Sequence, residues 1–264
     1  MKLIFTFFCL FGFPVQFYAE STTFYLSAKA YAIEDCKTNK ILAEKSIRTV
    51  YPMASLTKLG TAFVSLDSLS LNEPIQTPSS AVVKNTYESK ADILANESYL
   101  LKDLLVGLLL PSGNDVARSI ANHLETNGTT FYSLSSEWRQ KNGLNFFYFE
   151  EPVGLSPKSQ TNIIDLLKIL SLIEKNPTLF NVLQTKEYSF KSMSGKSVYV
   201  KTRTPILTFK NISIFGKTGK TKSAGLCFAG FLKSNSNLWK IAILGSSDLE
   251  KDLSKASEYV SQFQ

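Results

Sequence analysis

The feature that most limits the fold of this chain is the change in hydrophobic period along it. Between residues 55 and 174, apolar side chains recur at the spacing of three and four that is typical of helices. From residue 187 onward, short runs with a period near two predominate, and residues 28–33 and 41–43 form an earlier pair of such runs around a turn. Strands at both ends of a helical middle require the first hairpin to pair with late strands. The pattern therefore predicts an α+β fold, with a helical lobe packed on an antiparallel sheet.

Individual elements follow from the same pattern. A helix is predicted to begin at or near Ser55, with Pro52 before it as a start signal, whereas residues 72–96 are polar and predicted to be irregular. The other predicted helices cover residues 100–110, 114–124, 131–138, 162–174 and 249–260, and the predicted late strands cover residues 188–191, 197–201, 212–218, 225–231 and 238–244.

The N-terminus has the pattern of a secretory signal. Lys2 precedes an apolar run over residues 3–13, and Ala19 supplies a small residue before a polar one. The apolar run is too short for a transmembrane helix, which needs ~20 residues. Phe17, three residues before the expected cut, is not small, so failed cleavage would leave an N-terminal tether. We expect residues 1–19 to be the signal.

Residues 20–264 are then expected to form a single catalytic domain of an exported protein, in the periplasm or at the outer face of the cytoplasmic membrane. The formal net charge of +7 favours anionic partners such as wall polymers or anionic lipid. The lysines are scattered, and no zinc-finger or RNA-recognition pattern occurs, so we expect no nucleic-acid partner. We expect a monomer, with any membrane association peripheral or through the N-terminus.

The usual catalytic base and the usual metal ligands are scarce. His123 is the one histidine, and it lies in mid-helix, so a structural role is expected. No carboxylates stand at ligand spacing near it, and we expect neither a metal nor any other cofactor. Outside the signal, which holds Cys9, only Cys36 and Cys227 occur, and two buried free thiols are favoured over a disulfide.

A lysine can replace the missing histidine as base. Ser55 and Lys58 stand three residues apart at a predicted helix start, so they share one face. Serine is inert until a base removes its proton, and lysine can do so only when burial or nearby cations lower its pKa. The N-terminus of a helix disfavours the ammonium form and offers free N–H groups to an oxyanion. Alone, a Ser-x-x-Lys pattern often occurs by chance.

Two further motifs make chance a poor explanation. Ser112-Gly113-Asn114 falls at a break between two apolar helices, where polar side chains can point into a cleft. Residues 216–219, Gly-Lys-Thr-Gly, fall on a late strand. There Lys217 adds a second cation that would help to keep Lys58 neutral, Lys217 and Thr218 can bind a carboxylate, and Gly219 leaves room for a substrate at the strand edge.

Together these motifs resemble the signature of the penicillin-recognising serine enzymes. Residues 28–31, 42–45, 54–58, 112–115 and 216–219 look like those of low-molecular-mass penicillin-binding proteins, the D-alanyl-D-alanine carboxypeptidase/endopeptidase family. The resemblance runs from about residue 28 to about residue 248. It implies a five-stranded antiparallel sheet flanked by helices, of the β-lactamase/DD-peptidase type, and activity on the peptides of peptidoglycan, with β-lactams as covalent inhibitors.

The resemblance also implies roles for single residues. Ser55 would attack the carbonyl between two D-alanines, Lys58 would take its proton, and Ser112 would relay a proton to the leaving amine. The substrate would be bound by Asn114, Lys217, Thr218, Gly219 and Lys220. The backbone N–H groups of Ser55 and Lys220 would form the oxyanion hole, and Arg203 would assist in binding the carboxylate.

Departures from the related enzymes leave alternatives open. Class A β-lactamases carry Asp where this chain has Gly113, and their Glu-x-x-Leu-Asn pattern is missing here, so efficient β-lactam hydrolysis is not expected. The chain ends after the catalytic region, so we do not expect a permanent C-terminal anchor. Residues 151–156 are similar to a loop of D-alanyl-D-alanine endopeptidases that cut peptide crosslinks. A non-catalytic module that binds wall or β-lactam is a further alternative.

Overall fold

The computed structural model describes residues 5–8, 14–17, 24–125, 128–204, 208–209 and 211–263. Seven α-helices lie in these ranges: α1 (Thr57–Ser68), α2 (Leu101–Leu109), α3 (Asn114–Leu124), α4 (Phe131–Lys141), α5 (Ile163–Glu174), α6 (Pro177–Gln184) and α7 (Leu249–Val260). The strands are β1 (Phe5–Phe8), β2 (Pro14–Phe17), β3 (Ala30–Asp35), β4 (Ile41–Lys45), β5 (Tyr51–Pro52), β6 (Pro74–Gln76), β7 (Ser98–Leu100), β8 (Gln160–Thr161), β9 (Glu187–Lys191), β10 (Ser197–Lys201), β11 (Thr208–Phe209), β12 (Ile212–Thr221), β13 (Gly225–Lys233) and β14 (Leu238–Ser246).

The central sheet confirms the predicted α+β fold. Its five long strands are antiparallel in the order β12-β13-β14-β3-β4, and the two-residue strand β11 adds a short sixth strand beside β12. The early hairpin joins the late strands as predicted, since Ile33 of β3 stands opposite Ile241 of β14. The central strands carry nearly continuous apolar runs because both faces of the sheet are covered.

Helices cover the two faces of the sheet unequally. One apolar core lies between the sheet and the helical lobe and includes the buried faces of α1 to α6. A second, smaller core lies under α7, where Leu253, Ala256 and Val260 pack on the opposite face of the sheet. Helix α1 is buried along most of its length, which places its first turn, with Ser55 just before it, at the junction of lobe and sheet.

Two parts of the fold differ from the predicted elements. Helix α6 was not predicted, since it has only eight residues; Asn176 caps its N-terminus and Pro177 is its first residue. Strands β9 and β10 form a hairpin of their own and do not join the central sheet. The segment 72–96 is largely irregular as predicted, apart from the short strand β6, which pairs with β7.

Near the N-terminus the structure describes only β1 and β2, as an antiparallel pair. The expected cleavage position after Ala19, and Cys9, lie outside the described residues, so the signal peptide stays a prediction. Of the helices described, none combines the length and the apolar character that a membrane crossing requires.

The two remaining cysteines are not bonded to each other. Cys227 is fully buried on β13, as expected, whereas Cys36 after β3 is only half-buried. Burial raises the pKa of Cys36 to about 12 and that of Cys227 to about 11, so both remain neutral thiols at pH 7.

Candidate active site

The candidate nucleophile lies in a tight turn before the first helix of the lobe. A 3₁₀ turn, Ala54–Leu56, carries Ser55, and the α-helix continues from Thr57. Ala54 has a positive φ of 48°, an unfavourable conformation for a residue with a side chain. The turn places Ser55 Oγ 3.2 Å from Lys58 Nζ, so the predicted pair is in contact.

Lys58 is completely buried, and burial sets its chemistry. Loss of solvation, opposed by the carboxylate of Glu151 and supported by the charge of Arg118, lowers the pKa of Lys58 to about 7. A substantial fraction of Lys58 is therefore neutral at physiological pH, as a base requires. Burial is the largest cause, and Arg118 is the cation that most lowers the pKa of Lys58. Lys217, expected to help as a second cation, interacts electrostatically with Lys58.

The contacts of Lys58 direct its lone pair at the serine. Besides Ser55 Oγ, the amine lies 2.8 Å from Asn114 Oδ1 and 2.8 Å from the carbonyl oxygen of Val153. Those two oxygens can only accept, so they take both N–H bonds of the neutral amine. The hydroxyl of Ser55 is the one neighbour of the three that can donate. The neutral form is thus oriented to receive the serine proton.

The carbonyl of Val153 belongs to a loop that the carboxylate of Glu151 organises. Glu151 accepts from the backbone N–H groups of Val153 at 2.8 Å and of Gly154 at 2.6 Å. Gly154 has φ +87°, and a Cβ there would lie 2.1 Å from the carbonyl oxygen of Ala54. The loop can pass this close to the serine turn only because residue 154 is glycine.

Ser112 and Asn114 come from the turn between α2 and α3. Asn114 is buried and bonds Lys58 through Oδ1, while its Nδ2 donates to Glu88 Oε2 at 2.8 Å. Ser112 has a positive φ of 63° and is only 4% exposed. Its hydroxyl has no hydrogen-bond partner among the described residues, although it lines the same cleft as Ser55. A buried hydroxyl without a partner is available to a substrate.

Strand β12 forms the opposite wall. A Cβ at Gly219 would lie 3.0 Å from the backbone N of Ser55, so the missing side chain lets the strand approach the serine turn. Thr218, Gly219 and Lys220 line the cleft. Lys217 is buried behind them, where its Nζ donates to the carbonyl of Thr218 at 2.7 Å. Burial and the nearby charges of Lys58 and Arg203 hold the pKa of Lys217 well below its usual value.

The cleft has a volume of about 670 Å³, and Arg203 lines it. The guanidinium of Arg203 donates to the hydroxyl of Ser89, and Tyr87, which is 96% exposed, stands beside them. The complete lining is Ser55, Tyr87, Ser89, Ser112, Arg203, Thr218, Gly219, Lys220, Leu226, Ser247, Asp248, Leu249 and Glu250. The cleft is therefore rich in hydroxyls, with cationic groups on one side and the acidic start of α7 on another.

The comparisons with known proteins agree with this geometry. A family model described as D-alanyl-D-alanine carboxypeptidase matches residues 17–247. The chain belongs to this family. Solved structures with the same fold include the Streptomyces K15 DD-transpeptidase, with a TM-score of 0.80 and 24% identity over 90% of this chain and 97% of that one. A D-alanyl-D-alanine carboxypeptidase of Mycobacterium tuberculosis gives a TM-score of 0.79 and 23% identity over 91% and 93% of the two chains.

Curated relatives in the D-alanyl-D-alanine carboxypeptidase family carry two kinds of name. A D-alanyl-D-alanine endopeptidase of Escherichia coli is 31% identical over 74% of this chain and 64% of its own length. The D-alanyl-D-alanine carboxypeptidase DacB2 of M. tuberculosis is 27% identical over 77% of this chain and 69% of its own. For the carboxypeptidase DacC of E. coli, 27% identical, the matched part is 80% of this chain but only 55% of that protein.

The fold brings the predicted site residues to one place. Ser55, Ser112, Thr218, Gly219 and Lys220 line the cleft, while Lys58, Asn114 and Lys217 lie buried immediately behind it. His123 is not part of the lining, and its Nε2 lies 3.7 Å from Glu73 Oε1. Over the described ranges, no three His, Cys, Asp or Glu side chains are grouped in a way that could hold a metal ion.

Sequence reasoning missed three contributors to the site. Glu88 and Arg118 support Asn114 from its far side, and the backbone carbonyl of Val153 accepts a hydrogen bond from Lys58. Any residue type could supply a backbone carbonyl, so no side-chain pattern marks Val153. Glu151 had a signal, since it begins the segment whose similarity to endopeptidases was noted.

Proposed function

We propose that this protein is a serine-type D-alanyl-D-alanine carboxypeptidase that acts on peptidoglycan stem peptides through an acyl-enzyme on Ser55. The observation that carries the proposal is the contact between Ser55 Oγ and the buried amine of Lys58. The other two neighbours of this amine accept its N–H bonds, so its lone pair is left for the serine. Without another base in contact with Ser55 among the described residues, this pair is the means of activating a nucleophile.

Acylation begins when Ser55 Oγ attacks the carbonyl carbon between the two D-alanines and its proton passes to Lys58 Nζ. The backbone N–H groups of Ser55 and Lys220 bind the oxyanion that forms. As the C–N bond breaks, the hydroxyl of Ser112 relays the proton from Lys58 to the leaving nitrogen. D-alanine departs as an amine, and the shortened peptide stays on Ser55 as an ester.

Deacylation returns the enzyme to its starting state. Water attacks the ester carbonyl and gives a proton to Lys58, and Ser55 leaves as an alkoxide that this proton neutralises. The products are the shortened peptide acid and free enzyme. No cofactor is needed, because every proton in the cycle has a donor and an acceptor in the site.

The terminal carboxylate of the substrate is bound on the β12 side of the cleft. Thr218 offers a hydroxyl, and Arg203 and Lys220 offer charge, all of them on the lining. Lys217 supports this wall from behind by bonding the carbonyl of Thr218. Asn114 has one N–H of its carboxamide left for the substrate amide, since the other is bonded to Glu88.

A β-lactam presents a strained amide and a carboxylate in a similar arrangement, and we propose that it acylates Ser55. Gly113 stands in the position where class A β-lactamases carry Asp, and the chain lacks their Glu-x-x-Leu-Asn pattern. Penicillin should therefore remain bound as a long-lived ester.

The decisive experiment is labelling with a fluorescent penicillin, with Ser55→Ala compared to Ser68→Ala. Ser68 lies on the same helix, exposed and away from the cleft. Labelling and D-alanine release should vanish in Ser55→Ala and persist in Ser68→Ala, because loss of a serine nucleophile costs about 10⁶ in kcat. Persistent labelling of Ser55→Ala would exclude Ser55 as the nucleophile.

A second candidate function is endopeptidase cleavage of peptide crosslinks. The segment 151–156 favours it, and the 31% identical relative in E. coli is named a D-alanyl-D-alanine endopeptidase. Mass spectrometry on a pentapeptide and a crosslinked dimer separates the two functions. Loss of one D-alanine means carboxypeptidase, conversion of dimer to monomers means endopeptidase, and a stable penicillin ester with no peptide product means a non-catalytic binding module.

We also propose that the protein is exported to the periplasm or the outer face of the cytoplasmic membrane, and that it is a monomer. The signal pattern of residues 1–19 supports export. Fractionation of producing cells, with the mass of the purified protein, tests this proposal. A mature chain that begins at Glu20 is the expected result, and a full-length chain in the cytosol would contradict it.

A further inference from the structure

The far side of Asn114 is held by an ion pair that none of the three motifs contains. The Oε2 atom of Glu88 accepts from Asn114 Nδ2 at 2.8 Å and from Arg118 Nη2 at 2.5 Å. Its other oxygen accepts from Asn85 Nδ2 at 2.9 Å. Glu88 and Arg118 are only partly exposed, with 20% and 32% of their side chains accessible. The pair therefore lies directly behind a residue that bonds the base.

These contacts determine which way the carboxamide of Asn114 faces. A carboxylate only accepts hydrogen bonds, so Glu88 requires the Nδ2 side of Asn114. Lys58 donates through N–H and requires the Oδ1 side. A rotation of the carboxamide by half a turn would set N–H against N–H at Lys58 and oxygen against oxygen at Glu88. Glu88 thus excludes the orientation that would deprive Lys58 of its acceptor.

We propose that Glu88 and Arg118 are positioning residues for the acylation described above: Glu88 fixes the orientation of Asn114, and Arg118 holds the carboxylate of Glu88 in place. The kinetic part of this inference rests on the proposed function, whereas the orientation of Asn114 does not. Neither residue contacts the reacting atoms.

The charges of Glu88 and Arg118 also act on Lys58, and in opposite directions. The pKa of Lys58 is lowered chiefly by burial; Glu88 raises it by favouring the ammonium, and Arg118 lowers it by repelling the ammonium. Loss of Arg118 also frees the charge of Glu88, which acts in the same direction. The remaining charged groups that act on Lys58 or are acted on by it are Glu151 from the loop, Asp115 from α3 and Lys217 from β12.

Four variants separate charge from orientation. Glu88→Gln removes the charge and keeps an oxygen for Asn114, Glu88→Ala removes both, and Arg118→Gln removes the cation. Glu97→Gln is the control, since Glu97 is a partly exposed carboxylate that accepts from the hydroxyl of Ser194 and does not contact Asn114. The readouts are the titration of the Lys58 ε-methylene by ¹³C NMR, the side-chain amide resonances of Asn114, and the pH profile of acylation by a fluorescent penicillin.

The expected shifts have opposite signs. The midpoint for Lys58 and the acid limb of acylation should move to lower pH in Glu88→Gln and to higher pH in Arg118→Gln. Glu88→Ala should also lose the hydrogen-bonded shift of the Asn114 amide proton and lower the plateau acylation rate by about 10- to 100-fold, as a small misplacement in a site does. Glu97→Gln should match the unmodified protein in all three readouts.

Shifts of the same sign in Glu88→Gln and Arg118→Gln, or an unchanged Asn114 resonance in Glu88→Ala, would overturn the inference. The NMR readouts need no turnover. If the unmodified protein is not labelled by penicillin, the proposed function fails, and the NMR signals still decide for or against the positioning role.

Discussion

The amine of Lys58 is the base of the proposed reaction, so its pKa should make acylation depend on pH. In the proposed mechanism the neutral amine is the active form, and the pKa of Lys58 is lowered to about 7. Acylation by penicillin should therefore be fast above pH 7 and fall about tenfold per pH unit well below it. Stopped-flow labelling between pH 5 and pH 9 measures this profile. A rate that is flat through pH 7 would show that Lys58 is not the base.

Gly154 permits the close approach of two loops, and a methyl group there should damage the site. In Gly154→Ala the Cβ would lie 2.1 Å from the carbonyl oxygen of Ala54, at φ +87°. Because the same loop bonds Lys58 through Val153, we expect acylation to slow about 100-fold. Gly195→Ala is the matched control, because Gly195 has φ +92° but nothing within 4 Å of a Cβ.

The control should lose only the ~1–2 kcal/mol of stability that a left-handed alanine costs, with acylation unchanged. Urea unfolding and penicillin labelling together separate the two effects. Equal acylation in Gly154→Ala and Gly195→Ala would mean that the loop around residue 154 does not support Lys58.

At the residue scale, the sequence predicts side chains that act over short distances. Ser55 and Lys58 share a helix face at a fixed spacing, so their contact follows from local geometry. Glu88 could not be found in this way, because it lies in an irregular segment without periodicity and reaches Asn114 only through the tertiary fold. Ser112 was predicted from its motif, but the sequence could not indicate that its hydroxyl is buried without a partner among the described residues.

At the scale of elements, a buried ion cluster joins the sheet to the helical lobe. Lys240 of β14 lies 3.0 Å from Glu34 of β3 and 3.4 Å from Glu174 at the end of α5, with its own side chain only 1% exposed. The ammonium of Lys240 neutralises the two carboxylates in this buried position, so its removal leaves both of them without a counter-charge.

Lys240→Met should lower the free energy of unfolding by about 3 kcal/mol. This value is at the low end of what removing one partner of a buried ion pair costs, because Glu174 is 30% exposed. Glu34→Gln in addition should restore part of the loss, since it removes one of the two uncompensated carboxylates. Lys233→Met, at an exposed position on β13, is the control and should change stability by less than about 0.5 kcal/mol. Urea unfolding is the measurement, and equal effects of the two single variants would contradict the role of the cluster.

The elements themselves were largely predictable because their hydrophobic period is strong. The helices α1 to α5 and α7 and the strands β12 to β14 follow the pattern, whereas α6, with eight residues, is too short for its period to be distinguished. The separate hairpin β9–β10 shows a different limit. Alternation predicts a strand, but it does not indicate which sheet the strand joins.

At the scale of the whole molecule, one carboxylate ties the two ends of the domain together. Asp252 of α7 is buried and accepts from the backbone N and the hydroxyl of Ser27, at 2.7 and 2.8 Å, and from the hydroxyl of Ser246 at 2.7 Å. Ser27 and Asp252 are 225 residues apart in sequence, so no local pattern could reveal the contact. The hydrophobic period, near two at both ends of the chain and helical between them, did predict that early and late strands pair.

Asp252→Ala should lower the free energy of unfolding by about 3 kcal/mol, because it leaves a backbone N–H and two hydroxyls without their acceptor. Glu250→Ala, two residues earlier in the same helix, removes an exposed carboxylate and should cost less than about 1 kcal/mol. Thermal and urea unfolding compare the two variants. A loss in Asp252→Ala no greater than in Glu250→Ala would show that this tie does not hold the domain ends.

The order of strands in the central sheet also has a consequence for the newborn chain. Strand β3, made early, lies between β4 and β14, so its hairpin lacks its second neighbour until residues 238–246 have left the ribosome. The candidate nucleophile, Ser55, is synthesised long before Gly219, whose strand closes the cleft beside it. Contacts this distant in sequence form slowly. While the chain is being made, Ser55 is therefore present without the wall that β12 supplies, and the cleft is complete only once β12 lies beside the serine turn.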